Sequence, residues 1–513
     1  MRKSPPGKRF RLLRRRESRP DAVAAPALRV PRGAPLQALR EVLDRLSDAS
    51  RGAKDSDPGV RLLSKGETLD EEAAREALSP VPLAVWEASG LLRCEHGKVV
   101  PRVRLARYSG LTVACDVDWH AGGAPRDDAV MGITTSTLCL ASFTPRGRAA
   151  RALDLGTGSG LQALLAARHC DRVTAVDLNP RALEFARFNA ALNGVENVDF
   201  VRGDLLEFEA DEPYDLVVCN PPFVISPRSD CLYRDNPLDA DGFVQALLQR
   251  MPGLLAEGGF GQVVCDWGEG ADEPWADHVS AWVRDRGCDA WVLRAQGKDP
   301  AAYARTYLGA LPEPEQRERL QEWKDYYTRC GIEQIGFGVV TLRKAGGRPS
   351  WFRAEGMPPR ISRPAGGEIA RGFDATDFLR AHPGAVLLEQ RLRTAPHVRV
   401  EPRVEAVGGR WCTQSARLTR TRGFPYALDV DPAVLDVVLR SDGTRTLGEL
   451  LQAAANARKT TAAELAPTFV KVIHQLVARG FLLPATRPDT QGAEVVPASR
   501  TEEIPDEPKT ATG

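Results

Sequence analysis

The chain has 513 residues, which is material for about three domains at roughly 150 residues per domain. Apolar residues make up 43% and charged residues 27%, and these ordinary globular proportions exclude a wholly disordered protein, a collagen-like repeat and a small disulfide scaffold. Lys and Arg total 69 against 68 Asp and Glu, and the net charge of +1 excludes a polycation that binds nucleic acid by bulk charge.

The ends of the chain differ from the middle in composition. Residues 1–20 carry nine Lys or Arg and one Glu, without the apolar core of a secretory signal. We interpret residues 1–35 as a disordered basic tail, with a nucleic-acid-binding arm as the alternative. Residues 486–513 are rich in Pro, Thr and acidic residues and are predicted to form a second disordered tail.

Residues 36–115 are predicted to form an N-terminal module. Apolar residues from Leu36 to Leu46 recur at three- and four-residue spacings, which indicates an amphipathic helix. A second helical stretch and the strand-like run KVVPRVRL at residues 98–105 follow. Helices followed by a β-ribbon suggest a winged-helix-like module, which either contacts nucleic acid or serves only as a packing domain.

Residues 116–345 are predicted to form an α/β domain with a doubly wound, seven-stranded Rossmann-like sheet. Seven strand candidates alternate with helical patterns: ARALDL, RVTAVDL, VDFV, YDLVVC, GQVVCDW, AWVLRA and IGFGVVTLRK. Such alternation is typical of a sheet whose inner strands are parallel and buried on both faces.

The Pro- and Gly-rich residues 346–390 are interpreted as a linker, and residues 391–485 as a C-terminal module with basic β-strands and a second winged-helix-like unit. Within it, residues 391–422 contain eight Arg against two Glu. If the strands display these arginines on one face, that face could bind the phosphates of a nucleic acid. The alternative is that the arginines only cover the solvent-exposed face of a sheet at the edge of the protein.

The ten cysteines include no Cys-x-x-Cys pair, so we expect no metal site, which would need about four clustered ligands. Cys219 and Cys265 lie in apolar strand-like runs, as buried thiols do in a reducing compartment, which predicts a cytoplasmic protein. No apolar run reaches about 18 residues, so we expect no membrane span.

The run ALDLGTGSG at residues 152–160 places glycines at the turn between a strand and a helix. Glycines are needed there because the turn demands unusual backbone angles and a ligand must approach the backbone closely. The spacing is G-x-G-x-G, which differs from the G-x-G-x-x-G of a pyrophosphate binder. Asp177 ends the second predicted strand, 21 residues after Gly156, where a carboxylate can accept from both ribose hydroxyls. Ribose recognition without a pyrophosphate loop points to S-adenosylmethionine.

Two further motifs follow the third and fourth predicted strands. Asp204 comes just after the third, where its carboxylate can accept from an adenine amino group. The fourth ends in Asn220-Pro221-Pro222-Phe223. Because two prolines stiffen the backbone and remove amide donors, the Asn220 side chain and the Pro221 carbonyl can both accept from a planar amino group. Phe223 offers a face on which a flat substrate can stack.

These motifs resemble those of the class I S-adenosylmethionine-dependent methyltransferases, in the branch whose fourth motif is (D/N)-PP-(F/Y). The resemblance covers roughly residues 127–344 and implies S-adenosylmethionine as cofactor, with the segment 127–141 closing over it. The residues that it assigns to the cofactor are Thr134, Thr135, Asp154, Gly156, Thr157, Gly158, Gly160, Asp177, Leu178, Asn179, Asp204, Leu205 and Asn220. Those that it assigns to the target amino group are Asn220, Pro221, Pro222 and Phe223.

Nucleobase amines in RNA or DNA and the side-chain amide of glutamine in release factors share this motif as targets. The flanking modules, the basic segments and the form NPPF favour RNA, and we expect a ribosomal RNA base as the methyl acceptor. A protein glutamine methyltransferase is the alternative, and a non-catalytic nucleic-acid-binding scaffold is a third hypothesis of a different class. The order of domains also resembles bacterial proteins of the methyltransferase small group.

Overall fold

A computed structural model describes residues 28–51, 57–117, 128–228, 234–235, 238–309, 311–358 and 360–485. Most of the predicted basic tail and the whole of the predicted acidic tail lie outside these residues. No helix in the described ranges is both long and apolar enough to cross a membrane. All nine cysteines in these ranges are free thiols.

The N-terminal module contains four helices and five short strands. Its elements are α1 (Ala34–Arg51), α2 (Pro58–Leu63), β1 (Leu69–Asp70), α3 (Glu71–Ala77), α4 (Leu83–Ala88), β2 (Leu92–Glu95), β3 (Lys98–Pro101), β4 (Val103–Tyr108) and β5 (Leu111–Asp116). Strands β1, β3 and β2 form an antiparallel sheet in that order, and β4 pairs with β5. The predicted amphipathic helix is present as α1, with Leu39, Val42, Leu43 and Leu46 buried.

The central domain is built on one large sheet. Its elements are α5 (Thr135–Phe143), β6 (Ala149–Leu155), α6 (Leu161–Ala166), β7 (Cys170–Asp177), α7 (Pro180–Asn193), β8 (Val198–Arg202), β9 (Tyr214–Cys219), α8 (Gly242–Arg250), β10 (Leu255–Glu269), α9 (Trp275–Val283), β11 (Cys288–Arg294), α10 (Pro300–Leu308), α11 (Glu313–Cys330), β12 (Gln334–Lys344) and β13 (Phe352–Gly356). A 3₁₀ turn at Met251–Gly253 joins α8 to β10.

The strand order is β13-β11-β12-β10-β9-β6-β7-β8. Strands β6 to β10 are mutually parallel where they pair, whereas β12 runs antiparallel to both of its neighbours. Separate apolar clusters cover the two faces, one around Val217, Val263 and Val340 and the other around Val218 and Val264. The domain therefore has the doubly wound, Rossmann-like architecture that the alternating pattern predicted.

The sheet has eight strands in the described part of the chain, where the sequence predicted seven. All seven predicted strands are present, and the eighth, β13, comes from the segment interpreted as a linker. It pairs in parallel with β11, so that Ala290 lies opposite Phe352 and Arg294 opposite Gly356. A run of five residues is too short to show a strand pattern. These residues form a strand because they pair with β11, which is far from them in the sequence.

The C-terminal region begins with α12 (Gly366–Ala381), which also lies in the predicted linker. The remaining elements are a 3₁₀ turn (Gly384–Glu389), β14 (Arg391–Thr394), β15 (Val398–Val407), β16 (Arg410–Arg420), β17 (Ala427–Val430), α13 (Pro432–Arg440), β18 (Asp442–Thr446), α14 (Leu447–Arg458), α15 (Ala462–Ala478) and β19 (Leu482–Pro484). They form two three-stranded sheets, β18-β14-β19 and β15-β16-β17, which share one apolar core with α13, α14 and α15.

Helix α12 joins the C-terminal region to the central sheet. Arg343 of β12 forms ion pairs with Asp289 of β11 and with Asp377 of α12, at 3.2 and 2.6 Å. Gly372 allows close packing, because a Cβ there would lie 2.2 Å from the Trp291 ring. The segment predicted to be a linker therefore contributes β13 and α12 to the fold.

Candidate functional site

The motif residues meet at one edge of the central sheet. Strands β6, β7, β8 and β9 are parallel, so their carboxyl ends lie side by side. The glycine loop follows β6, Asp177 is the last residue of β7, and Asp204 lies two residues beyond β8. Asn220 directly follows β9. In doubly wound sheets, ligands bind in the crevice outside these strand ends.

The glycine loop uses the left-handed region of backbone space at three positions: φ is +72° at Gly156, +53° at Gly158 and +90° at Gly160. The amides of Gly156 and Thr157 both donate to the Val176 carbonyl of β7, at 2.8 and 2.9 Å. The loop is therefore held against the neighbouring strand, with its turn above the sheet edge.

Two of these glycines are required for different reasons. A Cβ on Gly160 would lie 3.0 Å from the Ala186 Cβ, so this glycine allows α6 to approach α7. A Cβ on Gly158 would meet no heavy atom within 4 Å. The backbone at Gly158 thus borders open space, as expected where a ligand approaches it.

Asp154 is buried beneath this loop. Its Oδ2 accepts from the Thr157 hydroxyl at 2.7 Å and from the Ala163 amide at 2.9 Å. Burial raises the pKa of Asp154 to about 7, although these two hydrogen bonds counteract part of the rise. Its carboxyl group therefore ties the loop and the first turn of α6 to the end of β6.

Asp177 is held by two backbone amides. Its Oδ2 accepts from Gly158 and its Oδ1 from Asn179, both at 2.9 Å. Burial raises the pKa of Asp177, while the amides of Asn179, Gly158 and Leu178 oppose that shift. A carboxylate has about four lone-pair sites, so Asp177 retains acceptor capacity for a ligand that carries hydroxyl groups.

Asn179 and Leu205 complete the walls of this crevice. Asn179 caps α7 by accepting from the Arg181 amide at 3.0 Å, and its Nδ2 donates to the Asp128 carbonyl at 2.9 Å. The side chain of Leu205 lies 3.3 Å from the position of a Cβ on Gly156. Asp204 accepts from the Leu206 amide at 2.8 Å and so forms its own turn.

Asn220 has one amide atom bonded and the other unsatisfied. Its Nδ2 donates to the Thr137 hydroxyl across a long 3.5 Å hydrogen bond. Its Oδ1 is buried and has no hydrogen-bond partner among the described residues. An unsatisfied buried acceptor costs about 1–3 kcal/mol, and such groups often occur at functional sites.

Thr137 connects Asn220 to the segment before β6. The Thr137 hydroxyl lies 2.9 Å from that of Thr134, which caps α5 by accepting from the Thr137 amide. Gln162 Nε2 donates to the Thr137 carbonyl at 2.9 Å. Thr135 begins α5 beside them. The structure thus brings the predicted Thr134 and Asn220 together, through a residue that the motifs did not indicate.

The segment after Asn220-Pro221-Pro222 enters an aromatic cluster. Phe223 packs against Phe337 with ring centroids 6.3 Å apart. Two residues on, the Ile225 amide donates to the Tyr303 hydroxyl at 3.3 Å, and its carbonyl accepts from the Tyr327 hydroxyl at 2.9 Å. Helices α10 and α11, which connect β11 to β12, therefore hold the chain that follows the motif.

Tyr303 also contacts a buried acid at the end of β10. Its hydroxyl donates to Asp266 Oδ2, and both side chains are buried. Burial raises the pKa of Asp266 to about 7, against the opposing effects of Tyr303 and Lys298. No motif indicated Tyr303, Tyr327 or Asp266, because the contacts that assemble them join residues far apart in the chain.

No group of three or more His, Cys, Asp or Glu within the described residues could hold a metal ion. The crevice is instead lined by a glycine loop, two carboxylates and a side-chain amide. Such a set binds hydroxyl and amino groups.

Two family descriptions match the chain. Residues 132–264 match the methyltransferase small domain, and residues 370–484 match a domain of unknown function (DUF7782). The first match spans the glycine loop, Asp177, Asp204 and Asn220. It confirms the predicted resemblance to S-adenosylmethionine-dependent methyltransferases.

Curated relatives act on two kinds of acceptor. A tRNA1(Val) (adenine(37)-N6)-methyltransferase of Aeromonas hydrophila is 36% identical over 107 residues, which is 20% of this chain and 45% of that protein. A ribosomal protein uL3 glutamine methyltransferase of Bradyrhizobium diazoefficiens is 35% identical over 150 residues, which is 26% of this chain and 46% of that protein. A release factor glutamine methyltransferase of Deinococcus radiodurans is 50% identical over 76 residues, which is 14% of this chain and 27% of that protein.

The chain thus spans less than half the length of each of these relatives. The similarity therefore concerns only part of each of these proteins.

Proposed function

We propose that the protein is an S-adenosylmethionine-dependent methyltransferase that acts on a planar amino nitrogen. One observation carries this proposal: the Asn220 Oδ1 acceptor is buried and unsatisfied beside the glycine loop, at the end of β9. An amino group placed there would donate to it and remove the cost of the unsatisfied acceptor.

The residues around the crevice fit S-adenosylmethionine. Asp177 retains acceptor capacity for two ribose hydroxyls, and Gly158 leaves room beside its backbone. The loop from Asp154 to Gly160 would hold the methionine part, and Asp204 with Leu205 would hold the adenine. When bound, this cofactor supplies an electrophilic methyl group on a sulfonium sulfur.

Asn220 and its neighbours would orient the acceptor nitrogen. Asn220 Oδ1 accepts one amino hydrogen, the Pro221 carbonyl accepts the other, and Phe223 forms a wall for a flat ring or amide. Asn220 Nδ2 donates to the Thr137 hydroxyl, which leaves Asn220 Oδ1 to face the acceptor. Alignment of the acceptor nitrogen with the methyl carbon and the sulfur would supply most of the rate enhancement of methyl transfer. No dedicated base is required, because the nitrogen becomes acidic as it is alkylated.

We propose an RNA base, in ribosomal RNA, as the acceptor. The similarity to a tRNA adenine-N6 methyltransferase supports RNA. The eight arginines against two glutamates in residues 391–422 support a polyanionic partner. An unpaired base could stack on Phe223, as RNA-modifying enzymes require of their target.

A glutamine amide is the second candidate, because the similarity to the uL3 glutamine methyltransferase extends over 150 residues. A glutamine side chain presents the same planar amino group to Asn220. The two candidates differ in the partner that the rest of the chain must recognise.

The domain boundaries belong to the same proposal. We propose winged-helix-like modules over 36–115 and 391–485 that contact nucleic acid, and a catalytic domain over 116–345 to whose sheet β13 adds a strand. Segment 346–390 joins the catalytic domain to the C-terminal module through β13 and α12. We propose tails at both ends, over 1–35 up to the start of α1 at Ala34 and over 486–513. We also propose a cytoplasmic location, consistent with the free thiols.

Purified protein incubated with methyl-labelled S-adenosylmethionine and with separate RNA, DNA and protein fractions tests this proposal. We expect label in RNA, and no label with Asn220→Ala, whereas Arg148→Ala, an exposed residue at the amino end of β6, should act like the wild type. Label confined to a release factor or a ribosomal protein would replace RNA with the glutamine candidate. Failure of the wild-type protein to bind the cofactor in calorimetry would contradict the proposed activity altogether.

A further inference from the structure

Helix α7 contacts both the N-terminal module and the glycine loop, and it carries two asparagines four residues apart. Asn189 and Asn193 both direct their side-chain amides at β5 of the N-terminal module. Asn189 Oδ1 accepts from the Ala114 amide at 2.8 Å, and its Nδ2 donates to the Ala114 carbonyl at 3.0 Å. Asn193 makes the same two bonds to Thr112, at 2.9 and 2.7 Å. Each side chain thus bonds to both backbone groups of one residue of β5.

The spacing of the two asparagines matches the spacing of β5. Residues two apart in a strand are separated by about 6.6 Å and direct their backbone groups to the same edge of the strand. Residues four apart in a helix are separated by about 6 Å along its axis. Within the described residues, β5 has β4 as its single strand partner. Asn189 and Asn193 therefore take the place of a second strand on the other edge of β5.

The two asparagines differ in their third hydrogen bond. Asn189 Nδ2 also donates to the Ser159 carbonyl of the glycine loop, at 2.8 Å. Asn193 Nδ2 instead donates to the backbone carbonyl of Asn189, within α7, at 2.7 Å. Asn189 is fully buried, and its bonds use both hydrogens of its amide group. One buried side chain therefore holds the Ala114 backbone and the Ser159 carbonyl together.

The bond to Ser159 fixes a peptide group that has a glycine on one side. The amide of this peptide group belongs to Gly160 and donates to the Thr157 carbonyl at 2.8 Å. Gly160 has a φ of +90°, and glycine adopts positive and negative φ about equally, so the backbone alone does not fix how this peptide plane is turned. Ser159 is buried, and its carbonyl would be unsatisfied without the Asn189 donor. Asn189 thus determines the orientation of this part of the loop.

The end of β5 is held by the same helix. Arg181 of α7 forms a largely buried ion pair with Asp116, and its Nε donates to Asp116 Oδ2 at 3.1 Å. The same Oδ2 accepts from the Val130 amide at 2.8 Å, and the Asp116 amide donates to the Val130 carbonyl at 3.0 Å. Arg181 lies two residues after Asn179, which caps α7. Strand β5 is therefore bonded to α7 from Thr112 to Asp116, and its end lies beside the cofactor half of the crevice.

We propose that the N-terminal module is part of the cofactor site, and that Asn189 is the positioning residue that couples β5 to the glycine loop. This inference rests on the proposed function, because it takes the glycine loop to be the part that holds S-adenosylmethionine. Asn189 acts through the Ser159 carbonyl and sets the loop backbone before the cofactor arrives. A loop that is already ordered raises affinity, since binding no longer bears the entropic cost of ordering it.

The variants Asn189→Ala and Asn193→Ala of the full chain test this coupling. Each removes three hydrogen bonds, two of them to β5, and Asn189→Ala alone of the two releases the glycine loop. We expect the affinity for S-adenosylmethionine in calorimetry to fall about tenfold in Asn189→Ala, the effect of about one hydrogen bond, and to change less than about twofold in Asn193→Ala. Urea denaturation should show a loss of stability in both variants. A purely structural role of Asn189 would produce that loss but not the difference in cofactor affinity.

Hydrogen exchange in the wild-type protein tests the same coupling without a substitution, and it decides the matter if Asn189→Ala does not fold. Coupling between two sites is reciprocal. S-adenosylmethionine should therefore slow exchange of the Ala114 amide, which bonds to Asn189, more than exchange of the Thr112 amide, which bonds to Asn193. Mass spectrometry with fragmentation to single residues measures both amides.

Equal cofactor affinities of the two variants, or equal protection of Ala114 and Thr112, would overturn the inference and leave the proposed function standing. Failure of the wild-type protein to bind S-adenosylmethionine would overturn both.

Discussion

The crevice has a cofactor half, formed by the glycine loop and Asp177, and an acceptor half, formed by Asn220 and the segment after it. The contacts that assemble the two halves differ in how far apart the bonded residues are in the sequence. On the cofactor half, Asp154 bonds to a residue 9 positions away and Asp177 to one 19 positions away. On the acceptor half, Ile225 bonds to Tyr303 and Tyr327, which are 78 and 102 positions away. The cofactor half is formed by residues close together in the sequence, at the ends of consecutive strands. The acceptor half depends on α10 and α11, which lie between β11 and β12.

This difference explains why the cofactor is easier to identify than the acceptor. The glycine loop and Asp177 are held by hydrogen bonds of short range in the chain, so their arrangement is encoded locally. The residues around the proposed acceptor site are brought together by α10 and α11, which are far from them in the chain. Substitutions in the two halves should therefore have separable effects, on cofactor affinity in one and on acceptor kinetics in the other.

The largest effect is expected at Asp177. Asp177→Ala removes the acceptor for two ribose hydroxyls, and hydrogen bonds to a charged group contribute about 1.5–3 kcal/mol each, so cofactor affinity should fall by at least about 100-fold. Calorimetric titration measures it. Asp204→Ala is the matched control and should have a smaller effect, since its proposed contact is with the adenine alone and its carboxylate also accepts from the Leu206 amide. Equal losses of affinity in both variants would contradict the assignment of Asp177.

Substitutions at Gly160 and Gly158 should distinguish a packing role of a glycine from a ligand-binding role. Gly160→Ala combines a φ of +90° with a Cβ 3.0 Å from Ala186, and should cost about 2–3 kcal/mol in the free energy of unfolding. Gly158→Ala meets no neighbour and should cost only about 1 kcal/mol, yet weaken cofactor binding strongly. Urea denaturation measures the free energy of unfolding of both variants, and calorimetry measures their affinity for the cofactor. The reverse order of stabilities would show that the loop is packed differently.

Tyr303→Phe tests the acceptor half. Loss of the hydroxyl removes the bonds to Asp266 and to the Ile225 amide, and should lower the free energy of unfolding by about 1–2 kcal/mol. The KM for the acceptor should rise while the cofactor Kd stays the same. Tyr214→Phe loses a comparable bond to Thr174, at the start of β9, and should leave acceptor kinetics unchanged. A weaker cofactor Kd in Tyr303→Phe would show that the two halves are coupled.

The last prediction is a pH dependence of stability at Asp266. Burial raises its folded-state pKa from 3.8 to about 7, so between these values the folded protein holds a proton that the unfolded chain has released. Stability should therefore fall as pH rises through this window and level off above it. Asp266→Asn cannot titrate and should show a shallower fall from pH 5 to 8 in urea denaturation. Asp154, shifted in the same direction, is present in both proteins, so the difference isolates Asp266. Parallel pH profiles would contradict this shift.

Local patterns predicted most of the central sheet and the cofactor half of the site. The seven strand runs and the loop from Asp154 to Gly160 are short-range features, and each is present where the sequence placed it. Strand β13 and helix α12 were missed because their structure depends on tertiary contacts, such as the pairing of Phe352 with Ala290. Thr137 carries no local signal, because a Thr three residues after the capping Thr134 is not the Glu or Gln of a capping box.

The residues that hold the chain after the Asn220-Pro221-Pro222-Phe223 motif could not be predicted for the same reason. Tyr303 and Tyr327 lie in helices whose sequence pattern reveals an apolar face but not what that face contacts. In the sequence, Asp266 is an ordinary acid at the end of a strand, and only the fold places Tyr303 against it. Contacts of this range become visible only when the chain is folded.

The most direct test of the central claim compares modified nucleosides in ribosomal RNA from a strain that lacks this protein and from its parent. We predict that one nucleoside methylated on an exocyclic amino group disappears in the deletion strain. It should return with the wild-type gene and not with Asn220→Ala. Identical nucleoside profiles in the two strains, together with the loss of a methylated glutamine from a release factor or ribosomal protein, would contradict the claim that RNA is the acceptor.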